Sequence, residues 1–85
     1  MIDFSIIIPC KDEQDNVDII LSNIKKNCKY ENYEILFIED FSKDQTLNIL
    51  KKLSLSNQNV FFYENKKKGL GGAISLGLKK AKGNF

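Results

Sequence analysis

Tyr33-Glu34-Ile35-Leu36-Phe37-Ile38-Glu39-Asp40-Phe41-Ser42-Lys43-Asp44 changes character in its middle. The first half is rich in aromatic and branched side chains, as in a strand buried on both faces. The second half is an acidic turn, and Thr46, Ile49, Leu50 and Leu53 follow it at helical spacing. This is one strand–turn–helix unit, and the same order recurs on either side. Phe4 to Pro9 leads through Cys10-Lys11-Asp12-Glu13 to the stripe Val17, Ile20, Leu21 and Ile24. Val60 to Tyr63 leads through Lys66-Lys67-Lys68-Gly69 to Leu70, Ala73, Ile74, Gly77 and Ala81. The order β-α-β-α-β-α, with connections long enough for right-handed crossovers, predicts a parallel sheet with helices on its faces. The fold class is α/β: a three-layer, Rossmann-like sheet.

The helix ends carry signals of their own. Asp12 is expected to cap the first helix, with Asp15 three residues on, and Ser42 the second, with Gln45 three residues on. Lys25 and Lys26, then Lys79, Lys80 and Lys82, load the C-terminal ends, where the helix dipole favours cations. At 85 residues the chain is at most one domain, spanning 1–85. A chain of this size buries only about 60–65% of its unfolded surface. Thirteen basic side chains stand against eleven acidic ones, and a net charge of +2 is too balanced to imply nucleic acid. Two cysteines and no histidine read as free thiols in a reducing compartment and argue against a zinc site. Cys10 has no base partner for nucleophilic work. The run Ile6-Ile7-Ile8 is far short of the ~20 residues a membrane span needs. No basic segment precedes a signal-like core, so the expected location is cytoplasmic, or the cytoplasmic face of a membrane in a longer protein. Strand-like sequence begins by Phe4, so the start reads as native, whereas Gly83-Asn84-Phe85 reads as the opening of a fourth strand.

In open parallel sheets ligands bind outside the carboxyl ends of the strands, and all three polar motifs fall there. Asp40 can accept a hydrogen bond from a base N–H or a sugar hydroxyl. Ser42 and Asp44 suffice for the capping this turn needs, which leaves Asp40 spare. Glu39 and Asp44 are weaker candidates. Glu13 divides between contacting a ligand and favouring the first turn of a helix. In Lys68-Gly69-Leu70-Gly71-Gly72-Ala73 the glycines let a backbone approach a phosphate closely, at the start of a helix that favours anions. Its other reading is a flexible turn beside a solvated charge run. It is no dinucleotide fingerprint, because Ile74 stands where a small residue is required, and no P-loop, because no Gly-Lys-Ser/Thr is present.

Taken in order, these segments resemble the N-terminal part of a family 2 glycosyltransferase of the GT-A fold. Ser5-Ile6-Ile7-Ile8-Pro9-Cys10-Lys11-Asp12-Glu13 is similar to the family's opening strand and its Pro-x-x-Asn-Glu turn. Ile38 to Thr46 resembles Val-Asp-Asp-Gly-Ser-x-Asp-x-Thr. Asn65 to Ala73, with Gly77, Ala81 and Gly83, resembles the Asn-x-Gly-x-Gly-x-Ala segment and the Ala-x-Gly ahead of the fourth strand, most like the dolichyl- or undecaprenyl-phosphate sugar transferase branch. The resemblance implies a UDP- or GDP-sugar donor and a lipid-phosphate or glycan acceptor. The implied nucleotide-sugar site comprises Pro9, Cys10, Lys11, Glu13, Glu39, Asp40, Lys68, Gly69 and Gly71, with Asp40 holding the base and Lys68 to Gly71 beside the ribose and diphosphate. Lys11 stands where an aromatic residue often stacks on the base, and Asp12 where Asn is usual. Phe41 stands where Gly is usual, so the turn is expected to avoid positive φ there.

The family's metal-binding Asp-x-Asp, for Mg or Mn, comes after a fourth strand, and its catalytic base lies further on. The resemblance therefore gives residues 1–85 no catalytic residue and no metal ligand, and implies that these residues alone do not transfer sugar. Two other readings stay open: a non-catalytic nucleotide-binding module, and a receiver-like domain whose acidic strand ends hold Mg²⁺. A fourth strand is expected beside the first. Without it, Phe4 to Pro9 is an open edge through which the chain can self-associate.

Overall fold

The computed structural model describes residues 2–29 and 32–83. Strands β1 (Phe4–Cys10), β2 (Tyr33–Glu39) and β3 (Val60–Glu64) alternate with helices α1 (Val17–Asn27), α2 (Thr46–Ser56) and α3 (Leu70–Lys80). The strands form one parallel sheet in the order β1-β2-β3, as the sequence pattern predicts. Cys10 pairs with Glu39, and Glu39 with Glu64, so the three strands end level. The turns beyond them therefore rise side by side from one lip.

β2 is central, and every residue from Glu34 to Glu39 is buried. Strand alternation divides the core in two. Ile35 and Phe37 pack with Val17, Leu21, Leu50 and Val60 on the side of α1 and α2, while Leu36 and Ile38 pack with Ala73 of α3 on the other. α3 lies close on the sheet: a Cβ added to Gly77 would stand 2.4 Å from Cγ2 of Ile7.

Three expectations need correction. α1 begins at Val17, with Asn16 rather than Asp12 at its N-cap position and no side-chain cap bond. α2 begins at Thr46, with Gln45 rather than Ser42 before it. Both helices start late because Asp12 and Ser42 spend their side chains on each other's loop. In α3 the residues turned to the sheet are Ala73 and Gly77, with Leu76 and Ala81 beside them, whereas Leu70 and Ile74 are 63% and 42% exposed.

The far end of the sheet is tied by polar contacts. The buried Glu34 accepts hydrogen bonds on Oε2 from Ser5 Oγ (2.7 Å) and the Lys82 amide (2.6 Å). The Gly83 amide donates to Ser5 Oγ (2.8 Å). Residues 84 and 85, where a fourth strand is expected to open, lie outside the described residues. No helix among the described residues is long and apolar enough to cross a membrane.

Candidate functional site

The first two turns are sewn together by their own side chains. Asp12 Oδ1 accepts from the amides of Lys43 (2.6 Å) and Asp44 (3.3 Å), and the Asp12 amide donates to Ser42 Oγ (2.9 Å). The Glu13 amide donates to Thr46 Oγ1 (2.8 Å), the Gln14 amide to Asp44 Oδ2 (3.2 Å), and the Gln45 amide to Gln14 Oε1 (3.0 Å). Asp44 Oδ1 meanwhile accepts from the amide (2.9 Å) and the hydroxyl (2.5 Å) of Thr46. This lattice bends the backbone hard. Asp12 has φ 52° and Phe41 φ 57°, both left-handed. The expectation that the turn avoids positive φ at Phe41 is therefore wrong: the cross-loop bonds and the Ser42 amide, which donates to Glu39 Oε1 (2.7 Å), outweigh the Cβ clash.

The third turn is tied in through Asp40. Its amide donates to the Cys10 carbonyl (2.8 Å), and its Oδ1 accepts from Asn65 Nδ2 (3.0 Å) and the Gly69 amide (3.2 Å). Asn65 is the hub: it is 8% exposed, its Nδ2 also reaches the carbonyls of Lys67 (2.7 Å) and Gly69 (3.3 Å), and its Oδ1 accepts from the Lys67 amide. Gly69 has φ 117°, which only glycine adopts readily. A Cβ on Gly72 would stand 2.4 Å from the Lys67 carbonyl, whereas one on Gly71 would meet nothing within 4 Å. Asp40 Oδ2 has no hydrogen-bond partner among the described residues and is not sealed from solvent. One carboxylate oxygen is thus fixed by the protein and the other is presented at the lip.

The Cys10 thiol lies in the core, near the Ile8 carbonyl (3.8 Å). Burial first, then the carboxylates of Glu13 and Glu39, push its pKa up to about 12, so it is a neutral thiol at physiological pH. For Asp44, desolvation pulls the pKa upward, but the hydrogen bonds from Thr46, the Gln14 amide and its own amide outweigh it and hold the carboxyl below the ordinary aspartate value.

A family model, glycosyl transferase family 2, matches residues 5–85. The chain belongs to that family. It is 36% identical over 84 residues to a dolichyl N-acetyl-α-D-glucosaminyl phosphate 3-β-D-2,3-diacetamido-2,3-dideoxy-β-D-glucuronosyltransferase of Methanococcus voltae, covering 95% of this chain and 26% of that protein. It is 34% identical over 80 residues to a dolichol-phosphate mannosyltransferase of Pyrococcus furiosus, covering 94% of this chain and 23% of that one. Among solved structures, residues 1–349 of Staphylococcus aureus TarS in complex with UDP superpose with a TM-score of 0.81 at 26% identity, covering 96% of this chain and 25% of that one. The architecture is thus that of the GT-A fold, and the chain spans about a quarter of the length of these relatives.

Family 2 glycosyltransferases generally use a divalent metal. The residues present do not fit one: the described residues hold no group of three or more His, Cys, Asp or Glu placed to bind an ion. Glu13 is already bonded through Oε2 to Asn16 Nδ2, Glu39 to the Ser42 amide and Asp40 to the glycine turn.

Of the nine residues singled out in the sequence, the fold brings Pro9, Cys10, Glu39, Asp40 and Gly69 to one lip, with Lys11 and Glu13 in the adjoining turn. Cys10 reaches it by its backbone alone. Glu39 points to the α1–α2 side and shapes the turn. Lys68 and Gly71 sit on the outer flank of the third turn. Sequence reasoning missed Asn65 and Gly72 as the pieces that hold this turn. The level strand ends that set residue 65 beside residue 40 are the signal that finds Asn65.

Proposed function

We propose that residues 1–85 are the donor-nucleotide-binding part of a glycosyltransferase domain that uses a nucleoside diphosphate sugar and passes the sugar to a lipid-phosphate or glycan acceptor. The observation that carries this reading is the divided Asp40 carboxylate, Oδ1 locked to Asn65 and Gly69 and Oδ2 open at the lip. An immobile, half-free carboxylate is suited to accept a base N–H or a sugar hydroxyl without ordering cost at the moment of binding. Pro9, Lys11 and Glu13 form one wall, Lys68, Gly69 and Gly71 the other, and Cys10 and Glu39 shape the floor from within. TarS complexes with UDP and UDP-GlcNAc support a nucleotide-sugar donor, which in this reading is of the UDP or GDP type, and the dolichyl-linked relatives support a lipid-phosphate or glycan acceptor. Mg or Mn, where the whole enzyme uses it, is held by residues outside 1–85. The reading places the protein in the cytoplasm, or at the cytoplasmic face of a membrane.

Isothermal titration of the chain with UDP and GDP tests it. One nucleotide is expected to bind, and Asp40→Asn to weaken it about tenfold or more, the loss of one hydrogen bond to a charged acceptor. A melt of the variant checks that the turn stays folded. Unchanged affinity in a folded Asp40→Asn chain overturns the assignment. A second reading, a binding module without catalysis, rests on the lack of a metal-holding cluster among the described residues. Manganese-dependent sugar transfer by the 85-residue chain would rule it out.

A further inference from the structure

Four lysines and no acidic residue line one cleft. The cleft, about 670 Å³, lies between the Asn65–Lys68 turn and α3 and is lined by Lys66, Lys67, Lys68 and Lys79, with Ser75 and Leu76 between them. No lining residue is acidic, and none of the four ammonium groups has a hydrogen bond or ion pair among the described residues. Their neighbours differ: Lys80 lies over the ring of Tyr63 at 5.2 Å and Lys82 over that of Phe61 at 5.8 Å. The chain's near-neutral total hides a segregation. Residues 65–85 hold six lysines and no acid, while residues 1–64 hold seven basic and eleven acidic side chains.

Gly72 builds the cleft. The Lys67 carbonyl would stand 2.4 Å from a Cβ there, so glycine lets the lysine turn fold down onto the start of the helix. Like charges gathered this way repel one another, weakly in salt, and an anion between them reverses the sign. The cleft offers cations, a hydroxyl and aliphatic stems, but no carboxylate to read a base. Of the residues assigned to the donor lip only Lys68 and Gly71 line it; Pro9, Cys10, Lys11, Glu13, Glu39, Asp40 and Gly69 do not. That chemistry suits an oxygen-rich anion such as a phosphoryl group.

We propose that this cleft is a second anion site, which takes phosphoryl groups either as free phosphate or diphosphate or as the headgroups of a lipid surface. It adjoins the donor lip and shares Lys68 and Gly71 with it, but Lys66, Lys67, Ser75 and Lys79 belong to the cleft alone, and the proposal does not need the donor reading. The test is a titration of the ¹⁵N-labelled chain with pyrophosphate, beside sedimentation with vesicles of phosphatidylcholine alone and of phosphatidylcholine mixed with phosphatidate. Amide shifts are expected at Lys67, Gly72, Ser75 and Lys79. Added salt should weaken them, and the exposed triple variant K66Q/K67Q/K79Q about tenfold or more. Pyrophosphate shifts without vesicle retention assign a free anion; retention on phosphatidate vesicles that the triple variant loses assigns a headgroup. The proposal is overturned by silence in both arms, by unchanged affinity in the triple variant, or by shifts confined to Glu13, Asp40, Lys68 and Gly71. A chain that takes pyrophosphate in the cleft but no UDP leaves this inference standing and the donor reading fallen.

Discussion

Phe41 carries the sharpest local conflict in the chain. Its φ of 57° is a glycine conformation, imposed on a residue that is 45% exposed. A left-handed non-glycine residue costs about 1–2 kcal/mol, while glycine returns about 0.4–1 kcal/mol of that through a freer unfolded chain. Phe41→Gly is therefore expected to stabilise the fold by about 0.5–1 kcal/mol, a rise of a few degrees in melting temperature. A lower melting temperature would mean that the ring packs more than its exposure indicates. Asp44 gives a second prediction, in pH. Its native pKa is depressed, so the unfolded chain takes up the proton first and the stabilisation is complete above the ordinary aspartate value. It fades as pH falls through the lower native value. Urea midpoints of the native chain and Asp44→Asn should differ at neutral pH and converge as pH falls below the ordinary aspartate value; a constant gap would assign the effect to neutral hydrogen bonding instead.

At the scale of elements, the contact between α3 and β1 depends on a missing side chain. A Cβ on Gly77 would sit 2.4 Å from Cγ2 and 3.3 Å from Cδ1 and Cγ1 of Ile7. Ile7 is β-branched and has little rotamer freedom with which to yield. Alanine adds up to ~1 kcal/mol of helix propensity, but overpacking costs about 1–3 kcal/mol. Gly77→Ala is expected to destabilise by about 1 kcal/mol, and Ile7→Ala to recover part of that in the double variant; an additive pair would place the strain elsewhere. The strands, their parallel order and the buried faces of α1 and α2 were legible in the sequence from apolar periodicity; in α3 small residues rather than Leu70 and Ile74 face the sheet, because the helix lies too close for larger ones. The helix starts were not. Asp12 and Ser42 have the chemistry of caps, yet their partners lie about thirty residues away, in the other loop. Asp40 was legible as a polar residue with no local task. Asn65 was not, because its task is set by the register of β2 and β3.

For the whole molecule, the distribution of exposed apolar side chains tracks the open side of β1. The Asp40 amide bonds to the Cys10 carbonyl, so the even residues of β1 turn their backbone groups to β2. Ile7 and Pro9 turn theirs outward, and Pro9 brings no N–H to that side. Lys80 of α3 lies on the β3 side over Tyr63, and Gly77 meets Ile7 of β1. Continuing around the helix in that sense, at 3.6 residues per turn, the next flank is Leu70, Ile74 and Leu78, which are 63%, 42% and 42% exposed. It overhangs the space beside β1, where the described residues place no strand. On the other face a groove of about 480 Å³ runs along the same edge, lined by Ile6, Ile24 and Cys28 among others. An edge flanked by apolar surface on both faces recruits another chain. The isolated 85-residue chain is therefore expected to self-associate, and light scattering behind size exclusion should give a mass above 9.8 kDa that rises with concentration. Ile74→Lys with Leu78→Lys, both at exposed positions, should return it to the monomer mass. A single 9.8-kDa species across the series would show that this edge is closed in solution.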